Sequence, residues 1–280
     1  MQARILDGRV ARTALTEGLK KKIESLSFVP KLAIIQVGER PDSISFINAK
    51  KLFAKNLGVD VVHITIKENA DQNDVLQTIR NCNTDVGIHG IIVQLPLPER
   101  MDANKIIEAI DSRKDVDCLT SVNAEKARAG EATVIPATAR GIRNLLKLNN
   151  IDLKGKVVAV IGRSNLVGTP IAEMCSREGV EVIICHKGTK DLAMETQKAD
   201  IIIVATGNPM LITAEHVKAD QVIIDVGITR TADSGLAGDV DFDAVKDIVA
   251  AISPVPGGVG PMTVSALFEN LIDLVIVARK

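Results

Sequence analysis

Short apolar runs alternate with longer stretches of helical period along this chain. "KLAIIQVG" (31–38), "VDVVHITI" (59–66) and "VGIHGIIVQLPLP" (86–98) read as strands, since compact β-branched runs of this kind suit a sheet covered on both faces. Between the first two, residues 41–59 carry Phe46, Ile47, Leu52, Phe53 and Leu57 at helical spacing, with Ser43 placed to cap the helix. A further helix is predicted from Asp74. A second series starts after residue 150, where "KVVAVIG" (156–162), "VEVIICH" (180–186), "ADIIIVATG" (199–207), "QVIIDVGI" (221–228) and "IVAAISPVPGG" (248–258) read as strands. "TPIAEMCSREG" and "TAEHVKA" read as helices between them, and "TVSALFENLIDLVIVARK" closes the chain as a helix with a strong apolar stripe. The pattern predicts an α/β protein of two domains with parallel sheets, the second doubly wound.

Composition narrows the partners. With 280 residues and 46% apolar content the chain can bury sizeable cores. A net charge of −1, with both signs interspersed, argues against nucleic acid. Cys82, Cys118, Cys175 and Cys185 are scattered without a CxxC pair, which suits a reducing compartment better than disulfides or zinc. His63, His89, His186 and His216 show no ligand spacing, so no metal is expected. The charged N-terminus lacks the apolar core of a secretion signal, and runs such as "IIIVA" are too short to span a bilayer. A soluble cytoplasmic protein, with no membrane partner, is the expectation.

The strongest local chemistry lies in "VVAVIGRSNLVGTPIAEMC" (157–175), a strand entering a glycine turn and then a helix whose N-terminus can meet a phosphate. Its spacing, Gly162 to Gly168, is not GxGxxG, and glycine there also fits a purely steric turn. The next strand ends in "IICHKGTK", with no acid for a ribose hydroxyl but with Lys187 and Thr189, and Arg163 upstream. That favours NADP over NAD, although Lys187 also fits a solvated surface charge. "ATGNP" and "DVGI" fall at later strand ends, where this architecture places ligand contacts. Lys50 follows Phe46 by four residues and shares its helix face, as a snorkelling surface lysine would. Gln94, at a strand end before two prolines, is a positioning amide or a loop brace. "PVPGGVGPMT" (254–263) is a loop whose backbone can approach a ligand, or a rigid turn.

Together and in this order, "ILDG" (5–8), "VQLPLP", "KDVD", "GRSNLVGTP", "CHKGTKDL" and "PVPGGVGPMT" resemble the bifunctional methylenetetrahydrofolate dehydrogenase/methenyltetrahydrofolate cyclohydrolase family over essentially the whole chain. The resemblance implies oxidation of 5,10-methylenetetrahydrofolate with NADP, then hydrolysis of the methenyl cation to 10-formyltetrahydrofolate, in one-carbon metabolism supplying purine biosynthesis. It implies a folate-binding catalytic domain over 1–120 plus the C-terminal helix (264–280), a Rossmann-like NADP domain over 140–263, a linker at 121–139 and a cleft between the domains. Lys50 matches the proton-transfer lysine, Gln94 the amide that positions it, and Asp117 the aspartate that holds the pterin. Phe46, Val93, Leu95, Pro256, Gly257 and Gly258 are implied to bind substrate. Gly162, Arg163, Ser164, Gly168, His186, Lys187, Thr206, Gly207 and Ile228 are implied to bind cofactor. A homodimer is implied as well.

The sequence departs from the family pattern in places. Phe46 stands where the family has tyrosine, so the ring can stack but offers no hydroxyl, and hydrolysis is expected to lag behind hydride transfer. Cys118 stands where glycine is usual and is expected to crowd the pterin; "PATA" (136–139) replaces "PCTP" at the hinge. Rival readings are a monofunctional dehydrogenase of the same family, a generic Rossmann dehydrogenase for another small substrate, and a folate- or nucleotide-binding protein without catalysis. Lys50 argues against the last, because a binder has no need of a proton-transfer group.

Overall fold

The computed structural model describes residues 2–231 and 235–278. Its elements begin with β1 (Arg4–Ile5), α1 (Gly8–Glu24), β2 (Lys31–Val37), α2 (Pro41–Leu57), β3 (Asp60–Ile66), α3 (Gln72–Thr84) and β4 (Gly90–Val93). Then come α4 (Ala103–Glu108), α5 (Ser121–Ala129), α6 (Ala137–Leu148), β5 (Val157–Ile161), α7 (Gly168–Arg177), β6 (Glu181–Cys185), α8 (Leu192–Lys198) and β7 (Ile201–Val204). A 3-10 turn (Ala214–His216), β8 (Val222–Asp225), β9 (Thr229–Arg230), β10 (Leu236–Ala237), α9 (Phe242–Val245), β11 (Ala251–Ile252) and α10 (Val259–Val277) complete the described chain.

Contacts divide the chain into two compact units, one of residues 1–13 with 138–263, the other of 14–137 with 264–280. The first is built on a parallel sheet of order β1-β11-β8-β7-β5-β6. Its core holds Ala159, Ile161, Ile202, Val204, Ile223 and Ile252, all fully or nearly fully buried. The chain runs from β5 out to β6 and returns to β7 on the opposite side of β5, so the winding reverses between β5 and β7. That reversal opens a crevice at the carboxyl ends of the strands. The second unit has a parallel sheet of order β3-β2-β4, with Ile34 and Ile92 facing one core and Ile35 and Ile91 the other.

Several boundaries differ from the sequence expectation. The 121–139 segment, expected as a linker, carries α5 and the start of α6 and falls within the second unit up to Ala137. The first thirteen residues join the first unit, because β1 pairs with β11 and Leu6 N–H donates to Ile252 O (2.9 Å). Asp7 caps α1 through Arg9 N–H (2.7 Å), while Gly8 permits an approach to Gly258 in which an added Cβ would meet its carbonyl oxygen at 1.8 Å. The "ILDG" stretch is thus a strand end, a cap and a close backbone crossing.

Ser43 does not cap α2. Arg40 is the N-cap, without a side-chain bond, because Pro41 occupies the first turn and sets the start earlier. "TAEHVKA" forms only the 3-10 turn, a segment too short to repay helix nucleation. "IVAAISPVPGG" yields only two strand residues, its prolines and glycines ending the ladder. α8 went unforeseen; Asp191 caps it through Met194 N–H (2.9 Å). α10 is long and apolar enough to cross a membrane by composition, contrary to the expectation of no such run, yet 67% of that window is buried. Its Leu267, Phe268, Leu271, Ile272 and Val275 pack in the second unit's core, where a helix apolar all round belongs.

One residue of α10 joins distant parts of that unit. Asn270 Nδ2 donates to Val116 O (2.8 Å) and Ile135 O (2.7 Å), bracing the chain on either side of α5. Replacing Asn270 with Ala strands both carbonyls. N270A is expected to lose about 2–4 kcal/mol of unfolding free energy in urea, and a loss below about 0.5 kcal/mol would contradict this role.

Candidate functional site

In the second unit the structure brings Lys50, Gln94 and Asp117 together. Lys50 projects from the middle of α2, and only 8% of its surface is exposed. Gln94 follows β4 directly and extends its ladder, donating from its backbone N–H to Ile35 O (2.8 Å). Its amide nitrogen donates to Leu95 O (2.7 Å), which turns the amide oxygen toward Lys50 Nζ at 2.8 Å. A brace alone would not need that second contact. A lysine ammonium has three donors, and among the described residues Gln94 alone accepts from this one. Lys50 is therefore not a snorkelling surface lysine.

Asp117 reaches the same place from another direction. A parallel bridge between Ile91 and Asp115 lays residues 115–117 beside β4, so Asp117 advances alongside the end of that strand. Asp115 fixes the turn that follows. Its fully buried carboxylate accepts from Leu119 N–H (3.2 Å), Thr120 N–H (2.9 Å), Thr120 Oγ1 (2.7 Å) and Asn123 Nδ2 (3.1 Å). Asp117 is half-buried, and no protein group among the described residues donates to its carboxylate. Asp115 and Asn270, which set this geometry, were not identified from the sequence; their bonds span gaps that no local motif records.

Electrostatics follow from burial. Desolvation pushes the Lys50 pKa below that of an ordinary lysine, with the Asp117 carboxylate opposing part of that shift. Desolvation raises Asp117 to about 6, opposed by Lys50 and assisted by Asp115. A neutral amine in Lys50 is thus reached at lower pH than on a surface lysine.

The departures from the family pattern take definite positions. Phe46 is 38% exposed, one turn before Lys50, with a ring free of polar atoms. Cys118 adopts a left-handed backbone (φ 59°), the conformation that makes glycine the easy choice there. Its side chain is buried in the core with Val134, whose carbonyl oxygen lies 3.6 Å from the Cys118 sulfur. Val93, expected among the substrate contacts, is buried in the core. Leu95 is half-buried beside Gln94. Pro256, Gly257 and Gly258 lie in the other unit, in the turn after β11, where Gly8 N–H donates to Gly257 O (2.8 Å).

In the first unit the residues expected to bind cofactor lie at the carboxyl ends of β5, β6, β7 and β8 and at the start of α7. Gly162 (φ 111°) approaches Ala205 so closely that a Cβ would meet its carbonyl oxygen at 2.2 Å. A Cβ on Gly168 would meet Gly162 O at 2.1 Å, so the start of α7 can sit against the strand only with glycine there. Ser164 Oγ accepts from Gly168 N–H (3.3 Å), shaping the turn. Arg163 lies two residues past β5 and Lys187 two past β6, on strands in register at Ile161 and Cys185. Both are exposed and unpaired among the described residues. His186 is held by Thr189, whose Oγ1 accepts its N–H (2.9 Å), so Lys187 sits at a fixed tip. Thr206, Gly207 and Ile228 follow β7 and β8 on the other side and are exposed.

A glycine cradle, a helix start, two unpaired cations and no carboxylate at the end of β6 fit a 2′-phosphorylated dinucleotide. Among the described residues no group of three His, Cys, Asp or Glu is arranged to hold a metal.

The titration of Lys50 can be read directly from the Nζ and Cε resonances of labelled lysine. Its midpoint is expected below that of the exposed lysines, and lower still in D117N, because removing a neighbouring anion destabilises the ammonium. A midpoint at or above the ordinary value, or an upward move in D117N, would contradict this electrostatic account.

Known proteins similar to this chain include members of one family. The family model for the catalytic domain of tetrahydrofolate dehydrogenase/cyclohydrolase matches residues 6–117, and that for its NAD(P)-binding domain matches 136–279. "Bifunctional protein FolD" of Exiguobacterium sibiricum is 42% identical over 272 residues, covering 96% of this chain and 98% of its own. The crystal structure of the bifunctional FolD enzyme of Campylobacter jejuni is 39% identical, covers 99% of both chains and superposes with a TM-score of 0.94. That of the Trypanosoma brucei enzyme, complexed with NADP cofactor and inhibitor, is 32% identical with a TM-score of 0.95, covering 100% of this chain and 99% of its own. The chain belongs to the tetrahydrofolate dehydrogenase/cyclohydrolase family.

Proposed function

We propose that this protein oxidises 5,10-methylenetetrahydrofolate to the methenyl cation with NADP and then hydrolyses that cation to 10-formyltetrahydrofolate. The observation that carries this reading is the buried Lys50 amine, oriented by Gln94 and set near a carboxyl that no protein donor occupies. Asp117 holds the pterin by accepting two N–H bonds from its amino-pyrimidinone edge, which also favours its ionised form. Phe46 stacks on the folate ring system, and Leu95 adds a contact from the same unit. NADP, when bound, supplies the hydride acceptor.

In the hydrolytic step neutral Lys50 takes a proton as water adds to the methenyl carbon; the carbinolamine so formed breaks its C–N5 bond as its hydroxyl proton passes to N5, leaving the formyl group on N10. Burial lowers its pKa, and the positive charge of the methenyl group lowers it further. Gln94 keeps the amine on line without neutralising it, since an amide oxygen is an uncharged acceptor. Arg163 and Lys187 are proposed to pair with the 2′-phosphate, Gly162, Ser164 and Gly168 to line the pyrophosphate, and His186, Thr206, Gly207 and Ile228 to border the rest.

Phe46 gives the reading its own character. Lys50 gains no hydroxyl partner from that ring, so hydrolysis is the slower half of the sequence and methenyl product accumulates transiently. Four buried free thiols suit the cytoplasm as the place of work. We also propose a homodimer, supported by the half-exposed Ile184 on the edge strand β6, and a role in supplying one-carbon units for purine biosynthesis.

Paired assays with NADP and NAD test the reading by following the reduced cofactor and the methenyl chromophore together. NADP reduction dependent on methylenetetrahydrofolate is expected, with the NAD reaction weaker. Lys50→Met should lower hydrolysis by about 100-fold or more, the scale of a lost general base, and F46Y should speed it. Methylenetetrahydrofolate binding without cofactor reduction would sink the proposal, and an unchanged hydrolysis rate in F46Y would remove the role given to Phe46.

A further inference from the structure

The turn after β7 is held by a residue with no place in the reading above. Asp239 is fully buried, yet one of its carboxylate oxygens accepts three hydrogen bonds from an exposed turn. These come from Thr206 N–H (2.6 Å), Thr206 Oγ1 (2.9 Å) and Gly207 N–H (2.9 Å). We propose that Asp239 is a positioning residue for the nicotinamide half of the dinucleotide, holding the Thr206–Gly207 turn in the shape that half requires. The inference rests on the cofactor reading given above and extends it.

Sheet order identifies the half concerned. β6 lies on one side of β5, and β7 and β8 lie on the other. In a doubly wound sheet the pyrophosphate sits where the first strand meets its helix, and the adenosine ribose lies at the end of the second strand. Those places are Gly162–Gly168 and the end of β6. The remaining half must then run over the ends of β7 and β8, across Thr206 and Gly207.

Asp239 is itself anchored. Asp225, at the end of β8, accepts from Asp239 N–H (3.0 Å) and Gly227 N–H (2.9 Å) on one oxygen and from Val240 N–H (3.0 Å) on the other. The segment on either side is pinned by Met210 N–H to Gly238 O (3.1 Å) and Ile212 N–H to Asp239 O (3.0 Å). A chain of fixed contacts therefore leads from the sheet through Asp225 and Asp239 to the exposed turn.

The arrangement carries a cost that a plain fold brace would avoid. The second oxygen of Asp239 has no partner and is jammed against Gly227, where an added Cβ would lie 2.2 Å from it. Burial pushes Asp225 to about 6, and the nearby Asp239 charge adds to that shift. An asparagine would hold a turn without a second buried carboxylate. What the anion adds is strength, because donors to an ionised oxygen are bound roughly twice as firmly as those to a neutral one.

Calorimetric binding of NADP and of adenosine 2′,5′-bisphosphate, which lacks the nicotinamide half, separates positioning from general structural support. The parent is expected to bind both; failure to bind either would defeat the cofactor reading itself. D239A is expected to weaken NADP about tenfold or more, the scale of losing charge-assisted bonds, while leaving the bisphosphate within about twofold of the parent. D239N, which keeps an oxygen acceptor but not its charge, is expected to fall between, about threefold weaker for NADP. Should D239A fail to fold, the comparison in D239N decides. NADP affinity unchanged in the variant, or both ligands weakened alike, would overturn the inference.

Discussion

An ammonium removed from water is the constraint on which the second unit turns. Lys50 sits in the middle of α2 with 8% of its surface exposed, and its sole protein hydrogen bond among the described residues is to an uncharged amide. Full pairing with a carboxylate would have stabilised the charge. Desolvation with a single neutral acceptor does the opposite, lowering the pH at which the free amine forms. Asp117 tempers this without hydrogen-bonding the amine, and its own carboxyl stays open for a ligand.

Holding such a group requires rigid surroundings, and the fold supplies them from outside the site. Asp115 locks the turn after Asp117, Asn270 ties that region to α10, and β4 sets Gln94 at its end. The first unit uses the same device. Asp225 and Asp239 are buried carboxylates that accept backbone N–H groups, so that loops beyond the strands keep one shape. In both units a buried carboxylate shapes a loop beyond the strands.

Much of this was legible in the chain. Apart from β1, the strands of the two parallel sheets followed from apolar runs, and the glycines at 162 and 168 from the turn they punctuate. Lys50 stood out because helical spacing put it on the face of Phe46. Residues whose role is to reach across the fold were not legible: Asn270 lies 154 positions from Val116 and Asp239 lies 33 from Thr206. The burial of the Cys118 side chain in the core, from a backbone at positive φ, was equally hidden. The first residues were misassigned because β1 is two residues long and pairs only with β11, near the other end of the sequence.

The most direct test of the account is the pH dependence of methenyl hydrolysis, corrected for the uncatalysed rate and compared with hydride transfer in the same preparation. The account predicts that hydrolysis rises along a single limb whose midpoint lies below that of an ordinary lysine, while hydride transfer does not follow that limb. A hydrolysis rate that is flat with pH, or that rises only in the range of an exposed lysine, would contradict it.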